Sequence, residues 1–343
     1  MTINPIIKRR IQNFVSNKRA FWSLRIFLFF LISSFFAEFI ANDKPLLIIY
    51  NKKLYFPIVE TYMETVFGGD LEIQADYHDP YLVDLIKNKG KMIWPLIHYK
   101  YDTIDYALKV SAPAPPSAQH WIGTDDKGHD VVALIIYGFR ISVLFGLILT
   151  ILSSLLGIFV GAIQGYFGGI LDLFMQRFIE IWSSIPTLFL IIILTSIIRP
   201  NFALLLLILL LFSWLSLVGV VRAEFLRTRN FEYVKAAKAL GVKHIKIMFK
   251  HILPNAMVAT LTFLPFILSG SVVALTSLDF LGFGLPVGSP SLGRLLAQGK
   301  ANLHAPWLGI SAFIVLATML SLLIFIGEGV RDAFDSRKVL IND

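Results

Sequence analysis

The 343-residue chain contains no cysteine, which excludes disulfides and thiolate metal sites. It contains no GxxxxGK[ST] loop either. Gly-Lys occurs only at Gly90-Lys91 and Gly299-Lys300, outside that pattern, so the chain cannot hydrolyse ATP by a P-loop. HExxH, GxSxG and an inward cluster of histidines and carboxylates are missing too. No catalytic residue, metal or cofactor is therefore expected. Charge is scarce: 16% of residues are charged, whereas 56% are apolar and 29 are phenylalanine. A soluble chain of this length could not bury so many apolar side chains. The composition defines a polytopic, all-α membrane protein.

At roughly 20 apolar residues per crossing, six spans are expected. They fall at about Phe21 to Ile40, Ile141 to Gly161, Phe178 to Ile198, Phe202 to Val221, Ala256 to Leu278 and Trp307 to Gly327. Pro186 and Pro265 lie inside two of them and read as kinks, since neighbouring groups can re-satisfy the freed carbonyl. Glu38, Glu180 and Glu328 are placed near span ends, as interfacial carboxylates. A proton-coupled carrier would want such groups paired near the midplane.

Basic residues set the orientation. Lys8, Arg9, Arg10, Lys18 and Arg19 precede the first span without an acidic residue, and a second basic region runs from Arg222 to Asn255. Both belong in the cytoplasm by the positive-inside rule. Six spans then put the C-terminal tail, 336–343, inside and residues 41 to about 139 outside. The first span is retained as a helix: its polar lead is long for a signal peptide, and Arg25 shortens its apolar core. The net charge of +8 is explained by topology, and no nucleic-acid partner is expected.

The outer segment, 41–120, mixes aromatic, acidic and lysine residues with short apolar runs, enough for a small folded domain with some strand. Ala112-Pro113-Ala114-Pro115-Pro116 reads as a stiff extended linker. The core of five further spans follows, 121–335. It opens with Asp125, Asp126, His129 and Asp130, whose spacing fits neither an EF-hand nor a zinc pair and suits the capped start of a helix.

Gly157, Gly161 and Gly165 recur every four residues along the second span, a face on which two helices can approach closely in lipid. Between the fourth and fifth apolar stretches lies NFEYVKAAKALGVKHIKIMFKHILPN, Asn230 to Asn255. Tyr233, Ala236, Ala237 and Leu240 share one helical face; Ile245, Met248, Phe249 and Ile252 share another, and the lysines point elsewhere. Gly241 suits the left-handed turn between them. Pro254 suits the first position of the next helix. The segment reads as a basic amphipathic hairpin offered to a partner and tied to a span.

This hairpin resembles the EAA loop of ATP-binding-cassette (ABC) importer permeases: Glu-Ala-Ala, three residues, Gly, nine residues, Ile-x-Leu-Pro. Ala236, Ala237, Gly241, Leu253 and Pro254 match in register, with Lys235 in place of the glutamate and His251 in place of the isoleucine. GTDDKGHDVVALIIYGFRISVLFG, from Gly123, is similar to the lead into the second span of dipeptide and oligopeptide permeases. SLDFLGFGLPVGSPSLGRLL, from Ser277, resembles their loop after the fifth span. The resemblance covers about residues 120 to 335.

It implies the six-helix type I importer fold in a bacterial inner membrane, with a mixed periplasmic insertion after the first helix. It further implies a homologous second permease, a cytoplasmic ABC ATPase that binds the ATP, and a periplasmic peptide-binding protein. The cargo implied is an oligopeptide or a peptide-like compound of the microcin C kind. Coupling to the ATPase would rest on Lys235, Ala236, Ala237, Gly241, Leu253 and Pro254. Substrate-contacting residues cannot be singled out from six nearly uniform apolar helices. An ion-coupled carrier or a membrane-anchored sensor would also suit the composition, though the sequence shows no inverted repeat of the kind carriers use.

Overall fold

Long apolar runs become helices, and the polar insertion forms a small sheet, in a computed structural model that describes residues 5–334. Helix α1 (Pro5–Ser16) leads to α2 (Lys18–Phe35), which begins at Asn17, whose side chain accepts the Ala20 N–H at 3.3 Å. The short α3 (Ala37–Ile40) opens the insertion, with β1 (Leu47–Tyr50), β2 (Lys53–Tyr55), α4 (Pro80–Lys89) and β3 (Gly90–Ile93). Then come α5 (Val131–Phe167), α6 (Gly169–Ser183), α7 (Thr187–Ile197), α8 (Phe202–Ser213), α9 (Leu215–Thr228) and α10 (Glu232–Ala239). A short α11 (His244–Lys246) and a π-helical turn, Ile247–Ile252, run into α12 (Leu253–Leu281); α13 (Leu292–Ala301) and α14 (Pro306–Phe334) close the chain.

Among the described residues, four helical runs are long and apolar enough to cross a membrane: Val131–Phe167, Phe202–Thr228, His244–Leu281 and Pro306–Phe334. The expected third span, Phe178 to Ile198, needs correcting. It starts earlier, at Gly169, and is not continuous: α6 and α7 meet at 64° across Ser184 to Pro186. Pro186 has no N–H to continue α6, and it sits at the N-cap of α7. Glu180 lies in the last turn of α6, just before that break. Helix α2 is not among the runs that pass, because Lys18, Arg19 and Arg25 fall within its eighteen residues. It packs along α14, with Phe27 buried among Phe139, Leu316, Met319 and Leu323.

At the centre of the bundle, α5 packs against α9 along its glycine face. A Cβ on Gly157 would lie 2.7 Å from the Trp214 carbonyl oxygen, and one on Gly161 would lie 2.8 Å from that of Val218. Gly165 stands against the Arg222 carbonyl and Phe225 in the same way. Where lipid replaces water, such backbone proximity supplies dispersion contact that larger residues would prevent. The other side of α5 meets α12, and a third cluster joins Phe145 and Leu149 to Ile191, Leu205, Leu209, Leu275 and Leu278.

The insertion is an antiparallel sheet in the order β2-β1-β3, with Ile48 opposite both Tyr55 and Met92. Ile48, Tyr50, Phe67, Tyr77, Leu82 and Ile86 form its core. A second cluster, including Ala41, Ile97, Tyr99, Ala133 and Tyr137, fastens it to the start of α5. There the Tyr137 hydroxyl donates to the Ala41 carbonyl at 2.9 Å, and Arg140 pairs with Glu38 at 2.9 Å.

The proline-rich stretch 112–116 is not a free linker. Ala114 accepts the Thr124 N–H and donates its own N–H to the Thr124 hydroxyl, each at 2.9 Å, so the segment is pinned to the lead of α5. Asp130 caps α5 by accepting the Ala133 N–H at 2.9 Å. Its other oxygen holds His120 Nδ1 at 2.8 Å, while His120 Nε2 meets Asp105 at 3.1 Å. Burial alone would lower the pKa of this histidine. The hydrogen bonds to Asp130 and Asp105 outweigh that effect and hold it above the ordinary value.

Candidate functional site

The hairpin is built from a helix stop. Leu240 ends α10, and Gly241 adopts φ +73°, the left-handed conformation. The Gly241 N–H then donates to Lys238 O at 3.0 Å and the Val242 N–H to Ala237 O at 3.1 Å, the two bonds of a Schellman motif. A Cβ at Gly241 would meet nothing within 4 Å. The glycine is required by backbone conformation, not by space.

Each apolar face read from the sequence is only partly buried within the chain. On α10, Val234 and Ala237 are buried, whereas Tyr233, Ala236 and Leu240 are exposed. On the second arm, Ile247, Met248 and Ile252 are buried, whereas Ile245 and Phe249 are exposed. The expected stripes were set by apolar content alone. The actual docking surface is a cluster in which Val234, Ala237, Ile247 and Ile252 meet Ala162 and Tyr166 of α5 and Val221 and Phe225 of α9. Sequence periodicity could not distinguish an apolar face held against the bundle from one left open.

Nor is the second arm a separate helix. It runs through the π turn directly into α12, so the hairpin and this span form one helical rod. The wider turn lies just before Pro254, whose ring and missing N–H interrupt the regular hydrogen-bond ladder. Polar contacts brace the junction. Arg229 donates to the carbonyls of Gly165 and Tyr166 at 3.2 Å, the Tyr166 hydroxyl meets His244 Nδ1 at 2.6 Å, and Lys238 lies 5.0 Å from the Tyr166 ring. The Tyr233 hydroxyl accepts from Asn255 at 2.9 Å and so ties the two arms together.

What remains uncovered is an apolar and basic surface. Leu240 is 83% exposed, Ile245 71% and Phe249 59%. Ile245, Phe249 and Pro254 line a shallow cleft of about 620 Å³ with Lys243, Lys246 and Lys250. Of the residues singled out from sequence, Ala237 is buried, Leu253 is half-buried against the hairpin core, and Lys235, Ala236 and Pro254 face outward. Lys235 pairs with Glu232 at 2.9 Å across an exposed helical turn.

At the other end of the bundle the two further motifs meet. Asp279 accepts the Leu285 N–H at 2.7 Å and the Ser291 hydroxyl at 2.6 Å, and Ser291 caps α13. Gln298 of α13 donates to Asp125 at 3.2 Å and Asp126 at 2.7 Å. His129 Nδ1 holds the same Asp125 at 3.0 Å. No spacing rule brings residues 125 and 298 together, so this junction was invisible in the sequence.

A helical bundle that carries a rigid, open-faced hairpin on a continuous span is the architecture of a transport permease. The chain belongs to the family of binding-protein-dependent transport system inner membrane components, whose model matches residues 153–339. Within it, the chain is an ABC permease of the dipeptide and oligopeptide group. It is 59% identical over 338 residues, 98% of this chain and 99% of the relative, to the inner membrane ABC transporter permease protein YejE of Escherichia coli K12. The peptidoglycan transport system permease protein YejE of Agrobacterium fabrum is 56% identical, with 98% and 94% covered. The oligopeptide transport system permease protein OppC of Haemophilus influenzae is 35% identical over 70% of this chain and 77% of its own. Among solved structures, a chain of the MetNI methionine ABC transporter in inward-facing form superposes with a TM-score of 0.50. It is 17% identical and covers 59% of this chain and 96% of that one. That likeness concerns the fold.

Proposed function

We propose that the chain is the transmembrane permease subunit of an ABC importer for oligopeptides or peptide-bearing compounds. It pairs with a homologous second permease to enclose the path and is driven by a cytoplasmic ABC ATPase that binds the nucleotide. The observation that carries this is the hairpin: an uncovered apolar and basic surface, fixed by a buried cluster and continuous with α12. An ATPase that grips Leu240, Ile245 and Phe249 would move the span with it. Ala236, Ala237 and Gly241 allow the tight turn, the Leu253-Pro254 junction transmits the displacement, and Lys235 takes the place of an acidic contact. Gly157, Gly161 and Gly165 keep α5 and α9 moving as one body.

The topology that suits this function has six crossings. Helices α2 and α3 supply the first, the bent α6–α7 pair the third, both termini are cytoplasmic, and the insertion 41–120 is periplasmic. There it would meet a peptide-binding protein. The cargo class is an oligopeptide or a peptide-like compound of the microcin C kind. The peptidoglycan named for the Agrobacterium fabrum relative also contains peptide.

Uptake of a labelled oligopeptide into vesicles holding this chain and its partners should require ATP and the binding protein and should ignore a collapsed ion gradient. Uptake that follows the ion gradient without ATP would overturn the assignment.

A further inference from the structure

Helix α6 has two unlike sides. At 3.6 residues per turn, Asp172, Gln176, Arg177, Glu180, Ser183 and Ser184 fall on one side, interrupted only by Leu173, while Ile170, Phe174, Phe178 and Ile181 fall on the other. Part of the polar side is satisfied within the chain. Asp172 takes the Arg222 guanidinium at 2.6 and 2.7 Å, and Gln176 donates to Gln164 at 3.0 Å. The rest is not covered. The side chains of Arg177 and Glu180 are 78% and 56% exposed and are paired with each other, and Ser183 and Ser184 are exposed beside them.

Two contacts fix how deep these residues lie. The Asp172 to Arg222 pair and the Trp182 Nε1 bond to the Leu211 carbonyl, 2.8 Å, make α6 run antiparallel beside α8 and α9. Leu211 sits at the middle of the uncharged apolar stretch from Phe202 to Val221, which Arg222 ends. Glu180 is then about 3 Å from that level and Arg177 about 8 Å, at 1.5 Å per residue. Both depths are inside the roughly 15 Å half-thickness of bilayer hydrocarbon. The break at Ser184 to Pro186 lies at the same depth, and no side chain caps the start of α7. Hydrocarbon cannot satisfy either the charges or the uncapped amides.

We propose that the uncovered edge formed by Arg177, Glu180, Ser183 and Ser184 faces a water-filled path through the bilayer, along which a charged, hydrophilic solute of the peptide class passes. This rests on the permease function above and adds which side of which span lines the route. The adjoining apolar side of α6, where Phe174 and Ile181 are 71% and 70% exposed, faces lipid.

The absence of cysteine makes the test direct. Single variants Ser183→Cys, Ser184→Cys, Phe174→Cys and Ile181→Cys are expressed in the full transporter. Each is treated with a charged, membrane-impermeant methanethiosulfonate reagent in right-side-out and inverted vesicles, with and without ATP. Because the thiolate reacts and needs water to form, the two serine positions should label at least about tenfold faster than the two apolar ones. Two serine positions are used so that failure of one variant to fold does not remove the comparison. Equal rates at all four positions, or faster labelling at Phe174 and Ile181, would overturn the proposal. Labelling as expected in vesicles that take up peptide without ATP would keep the path while removing the ABC assignment. Loss of the labelling contrast in vesicles that do couple uptake to ATP would remove this inference alone.

Discussion

Replacing Gly161 by alanine should destabilise the protein, while the same change at Gly219 should not. At Gly161 the new Cβ would lie 2.8 Å from the Val218 carbonyl oxygen, 2.9 Å from Val221 Cβ and 3.2 Å from the Arg222 nitrogen. Ordinary contact begins at 3.4 Å, so α9 must retreat by about 0.6 Å along a face that packs closely over several turns. Overpacking of this kind costs about 1–3 kcal/mol, against which alanine's better helix propensity returns about 1 kcal/mol. At Gly219 nothing lies within 4 Å, so only the propensity gain applies. The two variants should therefore differ by about 1–3 kcal/mol, or several degrees in Tm, by thermal unfolding of the purified protein in detergent. Equal Tm values would show that the α5–α9 contact is looser than these distances require, and the close-packing account would fail.

Other outcomes follow from the same geometry. Gly241→Asn should keep uptake and substrate-stimulated ATPase activity near normal, whereas Gly241→Val should lower both. Space is open there, and the left-handed conformation alone costs a non-glycine residue roughly 1–2 kcal/mol, more when it is β-branched. Lys235→Glu exchanges an exposed pair worth at most about 1 kcal/mol for the family's acidic residue. Its Tm should stay within about 1 °C of the parent while ATPase affinity changes, and a large fall in Tm would contradict the exposed placement. The His120 clamp should weaken as pH rises. With its pKa raised in the fold, the imidazolium's contribution is complete below the ordinary histidine value and is lost as pH climbs through the raised one. Asp105 and Asp125 are held below the ordinary carboxylate range, because their hydrogen bonds outweigh burial, and their contributions fade as pH falls through those lowered values. Proteolysis of the insertion across pH should show the alkaline limb, and His120→Gln should abolish it.

How much of this could be read from the sequence depended on whether the determining force was local. Apolar runs are long enough to be seen without a partner, so α5, the α8–α9 run, α12 and α14 fall where their composition puts them. Gly241 is legible because a left-handed helix stop needs glycine regardless of its surroundings. Where tertiary packing decides, the sequence was silent. Val234, rather than Tyr233 or Leu240, enters the core because its side of α10 joins the cluster with Tyr166 of α5 and Phe225 of α9, which no periodicity encodes. Pro186 looked like a kink within one helix. It marks a 64° break, because Trp182 and Phe212 stack on one side of it while α7 turns away to pack Ile191 against Leu205. The Asp125–Gln298 junction joins residues far apart in the chain, and in the Asp105–His120–Asp130 clamp Asp105 and His120 lie outside the motif that holds Asp130.

The central claim is that the open face of the hairpin is gripped by an ATPase. It is tested most directly by Leu240→Cys, labelled with a photoactivatable thiol reagent in membranes that take up peptide with ATP. Leu240 is 83% exposed, so the label should not disturb folding. Irradiation should yield an adduct with the ATPase subunit whose amount changes when ATP is added. Membranes active in uptake that give no such adduct would contradict the account.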